Sequence, residues 1–274
     1  MKADLHCHTN ASDSILSRRD TLDLASSLGL DYLAITDHDL MNNSFVSSGD
    51  PVKAITGCEM STVEPETKKK CHILCYLPKD KSALEPLFAR MNASRASAGR
   101  QMFEKVRRLY PVLTEERLSR YCPSGIIHKQ DMMNVLIDFG YERETFGPLY
   151  DKLFSSRNGS CFVEPVYNDA VETVKAMREA GGIIVVAHPK IYGSLPFIWK
   201  LAEMGLIDGV EDNHPSADEE TRKQIAEVCE RFSLIKTGGS DYHGSNSSNY
   251  AMLGDYLTDS DELSKLFQLS ERRR

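Results

Sequence analysis

The chain has 274 residues, 41% hydrophobic and 27% charged, which is enough for one large α/β domain with an insertion or for two modest domains. No apolar run reaches the length of a membrane span, and the polar start MKADLHCHTN is not a signal peptide. The seven cysteines are odd in number and lack CxxC spacing, so they read as reduced thiols of a cytoplasmic protein, and the net charge of −7 argues against a basic face that coats nucleic acid.

Along the chain, short apolar runs alternate with helical patterns. Strands are expected at Ala3–His6, Tyr32–Ile35, Ala54–Cys58, His72–Leu77, Ile183–Ala187, Gly209–Glu211 and Leu234–Thr237. Helices are expected at Asp20–Leu28, Asp169–Ala180 and Ala217–Arg231, with Gly29 and Gly181 where C-caps belong. This alternation implies a parallel sheet, open or closed into a barrel. From Leu84 to Gly159 the rhythm changes to helices alone, at Leu84–Leu109, Thr114–Tyr121, Lys129–Phe139 and Pro148–Phe154. The expected division is a barrel built from 1–83 and 161–274, with 84–160 inserted as a lid. Asn42–Asp50 is too short and polar for a crossover helix, so the barrel is expected to be irregular or open there.

The chemistry-bearing residues fall at strand ends. In Asp4-Leu5-His6-Cys7-His8, strand alternation turns His6 and His8 to one side and Cys7 to the other. Thr36-Asp37-His38-Asp39, Gly57-Cys58-Glu59, Ala187-His188-Pro189 and Gly239-Ser240-Asp241-Tyr242-His243 follow apolar strands, and His72 opens another. Residues at the C-terminal ends of barrel strands gather on one face. Histidines and carboxylates converging there would repel or go unsatisfied without cations, so divalent metal binding is expected. Bound cations would also invert the local field, leaving an anionic substrate compatible with an acidic chain.

The ordered set DLHCH, TDHD, GCE, the histidine of HIL, AHP and GSDYHG resembles the polymerase and histidinol phosphatase (PHP) superfamily. Within it the layout is similar to small stand-alone phosphoesterases acting on nucleotides. The resemblance implies a distorted seven-stranded (β/α) barrel with a helical insertion and two or three divalent ions, manganese, iron or zinc. Carried over by position, His6, His8, Glu59 and Asp241 would hold one ion, Asp13, His38 and His243 a second, and Glu59, His72 and His188 a third. Asp13, His214 and His243 would take part in catalysis, with His214 contacting substrate or donating a proton. Asp4 and Asp37 are candidates to fix imidazole tautomers.

The reaction implied is metal-assisted hydrolysis of a phosphate monoester by a metal-activated water, the substrate a nucleoside monophosphate or 3′,5′-bisphosphate. Where the subgroup has Gly-Arg-Pro-His, this chain has Gly125-Ile126-Ile127-His128, so the arginine is missing. Arg95, Arg100 and His128, with Lys129, are the expected phosphate contacts, and Phe103 and Tyr121 the expected stacking surfaces for a base. A 5′-end exonuclease on short oligonucleotides, a histidinol-phosphate phosphatase, a metal-dependent amidohydrolase and a non-catalytic metal module are the competing readings. No membrane and no obligate protein partner is expected.

Overall fold

The computed structural model describes residues 1–41, 49–247 and 249–273. The strands are β1 (Ala3–Cys7), β2 (Tyr32–Ile35), β3 (Lys53–Val63), β4 (Lys70–Tyr76), β5 (Asn168–Asp169), β6 (Ile183–Val186), β7 (Gly209–Asn213) and β8 (Ile235–Gly238). They pair in the order β1-β2-β3-β4-β6-β7-β8, with the two-residue β5 beside the far end of β3. The helices are α1 (Arg18–Ser27), α2 (Glu85–Leu109), α3 (Glu115–Leu118), α4 (Lys129–Asp138), α5 (Pro148–Phe154), α6 (Ala170–Glu179), α7 (Pro189–Tyr192), α8 (Leu195–Glu203), α9 (Glu219–Phe232) and α10 (Ser260–Arg272).

Capping explains where several helices start and stop. Ser17, Asp169 and Asp218 each accept a backbone N–H of the first turn of α1, α6 and α9. Gly29 and Gly181 follow α1 and α6 at φ 72° and 70°, a region that favours glycine.

The barrel closes between β1 and the segment after β8. Asp241 N–H donates to His6 O at 2.8 Å, and His8 N–H to Tyr242 O at 3.0 Å. Gly239 permits this contact, since a Cβ there would lie 2.2 Å from His6 Cβ. The expected opening after β2 is not found in the pairing: all four residues of β2 are in register with Lys53–Thr56 of β3. Of the connecting stretch Asn42–Asp50, residues 42–48 lie outside the described residues.

The sheet is not all parallel. β4 runs antiparallel to both β3 and β6, because the stretch from Glu64 to Lys69 is a tight return and not a crossover. β3 is accordingly twice the expected length, its added half pairing Ser61 with His72. This reversal brings the start of β4, with His72, to the end of the barrel where the parallel strands finish.

It also puts the end of β4 at the opposite end of the barrel from His72, so the helical segment does not begin beside that histidine. The 25 residues of α2 span about 38 Å at 1.5 Å per residue, enough to carry the chain back along the barrel wall. Leu84, Leu87 and Phe88 at its start pack into the main barrel core. Its later turns join α3, α4 and α5 around a second core that includes Phe103, Val106, Leu113, Met132, Leu136, Leu153 and Phe154. One helix thus serves as wall and as root of the inserted helices. Among the described residues no helix is long and apolar enough to cross a membrane, and all seven cysteines are free.

Candidate metal centre and adjoining pocket

All nine expected ligands converge at one end of the barrel. His6 Nε2 lies 3.3 Å from His8 Nε2, 3.3 Å from Glu59 Oε2 and 3.3 Å from Asp241 Oδ1; His8 Nε2 lies 3.3 and 3.2 Å from the same two oxygens. Five of six separations in a four-atom set are therefore nearly equal. Ligand atoms at the corners of a tetrahedron, each about 2.0 Å from an ion, stand about 3.3 Å apart.

A second group, Asp13, His38 and His243 with His8 at its edge, brings its ligand atoms within 4.8 Å of one another. There His243 Nε2 is 3.2 Å from Asp13 Oδ1. A third surrounds Glu59: His72 Nδ1 and His188 Nε2 are each 2.8 Å from Oε1, and His38 Nδ1 is 3.1 Å from Oε2. Glu59 thus faces several rings at once, Oε2 toward His6, His8 and His38 and Oε1 toward His72 and His188.

Proton bookkeeping indicates a cation between these groups. His6 Nδ1 bonds Glu211 Oε1 at 2.9 Å. A carboxylate only accepts, so Nδ1 carries a proton and the ring turns its Nε2 toward Glu59 and Asp241. His243 Nδ1 likewise bonds the Asp241 carbonyl at 2.7 Å, which turns its Nε2 against Asp13. Each of these contacts needs a positive charge, supplied by a second proton on the ring or by a bound cation in its place. Among the buried polar atoms without a hydrogen-bond partner are Asp13 Oδ1, Glu59 Oε2 and His38 Nδ1, which a metal cluster accounts for. The mixed imidazole and carboxylate donors suit manganese, iron or zinc.

Burial alone would push the three carboxyls up, but the surrounding imidazoles outweigh it. His38, His72 and His6 hold Glu59 well below the usual carboxylate range, His243 and His38 do so for Asp13, and His6 and His243 for Asp241. The backbone is also held in sparsely populated conformations at the centre, with Asp39, His188 and Asp241 at φ 54°, 25° and 51°.

His214 joins the cluster, its Nε2 3.4 Å from Asp241 Oδ2. Ser216 holds His214 Nδ1 through its backbone N–H at 3.0 Å and its hydroxyl at 2.7 Å, so Nε2 is the nitrogen turned toward the centre. Cys7 faces away, toward the Ala34 carbonyl.

Two expectations about supporting acids are corrected. Asp4 binds the backbone N–H groups of His6, Ser240 and Gly254, and Asp37 binds Thr9 and Ser12; neither touches an imidazole. Glu211 does that work, and the sequence reading passed over it, although a carboxylate ending a buried strand was a signal. Asp39 is fully buried and anchors Ser61 N–H and Arg95.

Beside the centre lies a cavity of about 200 Å³ lined by Asp13, His38 and His72 and by Lys70, Arg95, His128, Lys129, Phe162, Tyr167 and Tyr192 among others. It is smaller than the roughly 300–1,000 Å³ of drug-sized pockets. Arg95 reaches it but is engaged by Asp39 at 2.7 Å and by Ser61. Burial pushes the His128 imidazole down to about 4, so it meets the pocket neutral. Arg100 is not brought to the pocket; it is half exposed and paired with Glu115 and Glu104. Phe103 is fully buried in the core of the inserted helices, where Tyr121 also packs, its hydroxyl donating to Asp138. Neither is a stacking surface, and Phe162, Tyr167 and Tyr192 form the aromatic part of the pocket instead.

Residues 4–143 match the PHP domain family. The chain is 32% identical over 250 residues to phosphoribosyl 1,2-cyclic phosphate 1,2-diphosphodiesterase of Eggerthella lenta, covering 89% of this chain and 95% of that one. It is 26% identical over 255 residues to the 5′-3′ exoribonuclease Rnm of Salmonella typhimurium, covering 88% and 84%. A solved structure from Bifidobacterium adolescentis, described as a metal-dependent phosphoesterase, superposes with a TM-score of 0.82 at 23% identity, over 97% of this chain and 96% of that one. A Chromobacterium violaceum structure described as an amidohydrolase superposes at 0.78 and 20% identity, over 100% of this chain and 97% of that one. At these identities the two structural likenesses concern the fold.

Proposed function

Because the chain belongs to the PHP domain family of phosphoesterases, we propose that it hydrolyses a phosphate ester of a small phosphorylated ribose compound, a nucleotide or a ribose phosphate. The observation that carries this is the histidine and carboxylate cluster, whose members Asp13, His38 and His72 line a small pocket with cationic and aromatic walls. When bound there, divalent cations lower the pKa of a water and offset charge on the phosphoryl oxygens.

The protein's own residues do the rest. Glu211 fixes the His6 ring so that Nε2 is free to bind a cation. Gln130 donates to Asp13 Oδ2 at 3.2 Å and sets the orientation of that carboxylate. His214 turns Nε2 toward the centre, where it would hydrogen-bond the oxygen of the departing alcohol.

The ester is either the nucleotide monoester that the sequence implied or a cyclic diester like the one for which the Eggerthella relative is named. The small cavity favours both over an RNA chain. Phosphate or ester release from adenosine monophosphate, adenosine 3′,5′-bisphosphate, phosphoribosyl 1,2-cyclic phosphate and a 5′-phosphorylated oligonucleotide tests this, with manganese and with EDTA. At least one small substrate should be turned over faster than the oligonucleotide, and EDTA should stop it. Preference for the oligonucleotide, or no metal-dependent turnover of any small ester, overturns the reading.

A further inference from the structure

The ligand groups are held by different parts of the chain. His6, His8, Glu59 and Asp241 are fixed by the barrel itself. Glu59 lies within β3, paired with Leu74 of β4. The backbones of His6 and Asp241 join at 2.8 Å, His8 bonds Tyr242, and Glu211 holds the His6 ring. Among the described residues the inserted helices make no hydrogen bond to any of these four. Asp13, His38 and His243 lie beyond the ends of strands, and there the inserted helices do intervene.

Gln130 of α4 bonds the Asp13 carboxylate, and a second contact reaches the backbone behind it. Asn246 is buried, and its Nδ2 donates to the Asp13 carbonyl at 3.0 Å. A carbonyl only accepts, so the Asn246 amide turns its nitrogen there and its oxygen away. That oxygen accepts from Asn134 Nδ2 of α4 at 3.1 Å. The Asn246 backbone N–H donates to the His243 carbonyl at 3.2 Å. Gln130 and Asn134 are four residues apart and so share one face of α4. Beside His38, α2 acts in the same way: Asn92 donates to the Asp39 carbonyl at 3.1 Å and Arg95 to its carboxylate at 2.8 Å.

We propose that Asn134 and Asn246 are positioning residues that assemble the Asp13–His38–His243 metal site, so that one ion is bound jointly by barrel and insertion and another by the barrel alone. This rests on the metal-dependent reading above and adds the division between the sites. Neither asparagine is a ligand; together they set where the Asp13 carboxylate and His243 stand. Partners of this kind change metal affinity about 10–100-fold. The coupling is reciprocal, because an ion that the insertion helps to bind must hold the insertion in place in turn. Order in α4 is therefore linked to the filling of that one site.

Metal-stripped wild type, Asn134→Ala, Asn246→Ala and Glu211→Gln are titrated with zinc against a chelator, without substrate. Wild type should take two or more ions. Asn134→Ala and Asn246→Ala should weaken one of them at least tenfold and leave another unchanged, and Glu211→Gln should weaken an ion that they spare. Asn134 is only half-buried, so its variant decides the matter if Asn246→Ala does not fold. Amide hydrogen exchange of wild type along the same titration should slow in α4 when the ion sensitive to Asn134→Ala binds, and not when the other binds. Unchanged affinity for every ion in Asn134→Ala, equal weakening of all ions, a single ion weakened alike by Asn134→Ala and Glu211→Gln, or exchange in α4 indifferent to the sensitive ion overturns the division. A wild type that binds no zinc overturns the metal-dependent reading itself, whereas one that binds zinc without this separation overturns the division alone.

Discussion

Glu211 holds His6 by a 2.9 Å bond from its Oε1 to the ring Nδ1, across 205 residues of sequence, and the same carboxylate accepts the backbone N–H of His188 on Oε2 at 2.8 Å. One buried side chain thus orients one metal-facing imidazole and steadies the unusual backbone of another. For Glu211→Gln, the oxygen can still accept from His6, but the charge is gone and the amide nitrogen cannot accept from His188. The metal affinity of the site should fall about 10–100-fold, read by chelator competition with zinc. An unchanged affinity would remove Glu211 from the metal site.

The protein purified without chelator should carry two or three equivalents of transition metal by elemental analysis. Glu59→Ala and Asp241→Ala should lose metal and turnover and keep the wild-type circular dichroism, because the barrel strands pair through their backbones and not through these side chains. Activity above about a tenth of wild-type kcat, a loss under roughly 1.4 kcal/mol, would contradict a ligand role for that residue.

His214→Asn tests the contact of His214 with the departing oxygen. Its kcat should drop about 10²–10⁴-fold on an alkyl phosphate such as a nucleotide, and far less on p-nitrophenyl phosphate, whose leaving group needs no proton. Equal losses on both would assign His214 to positioning Asp241, which it touches at 3.4 Å.

Asp131 offers a pH test away from the ligands. Burial raises its carboxyl from 3.8 to about 8, so the native state holds a proton that the unfolded chain releases. Stability therefore falls as pH rises from about 4 to about 8. Asparagine keeps an acceptor for the His128 N–H, now held by Asp131 at 2.8 Å, and does not ionise. Asp131→Asn should be more stable than wild type at pH 8, and the difference in Tm should shrink toward pH 4. A pH-independent difference would show that Asp131 is not a buried acid.

The sequence by itself determined the strand-end motifs and the side each residue faces. Those depend on a two-residue strand period and on local turn signals, so His6 and His8 were placed together and Cys7 apart before any coordinates. It also determined the helices of the insertion, since their apolar spacing and caps lie within a few residues of one another. Tertiary structure alone decided strand direction: His72 reaches the centre only because β4 runs antiparallel, and no local pattern distinguishes a buried parallel strand from a buried antiparallel one. It also decided which charges are free. Arg95 and Lys129 look alike in sequence, but Asp39, 56 residues away from Arg95, neutralises the first, while Lys129 faces only aromatic rings. The partner of a charge is set by packing between distant segments, and such long-range pairings are what a one-dimensional pattern does not encode.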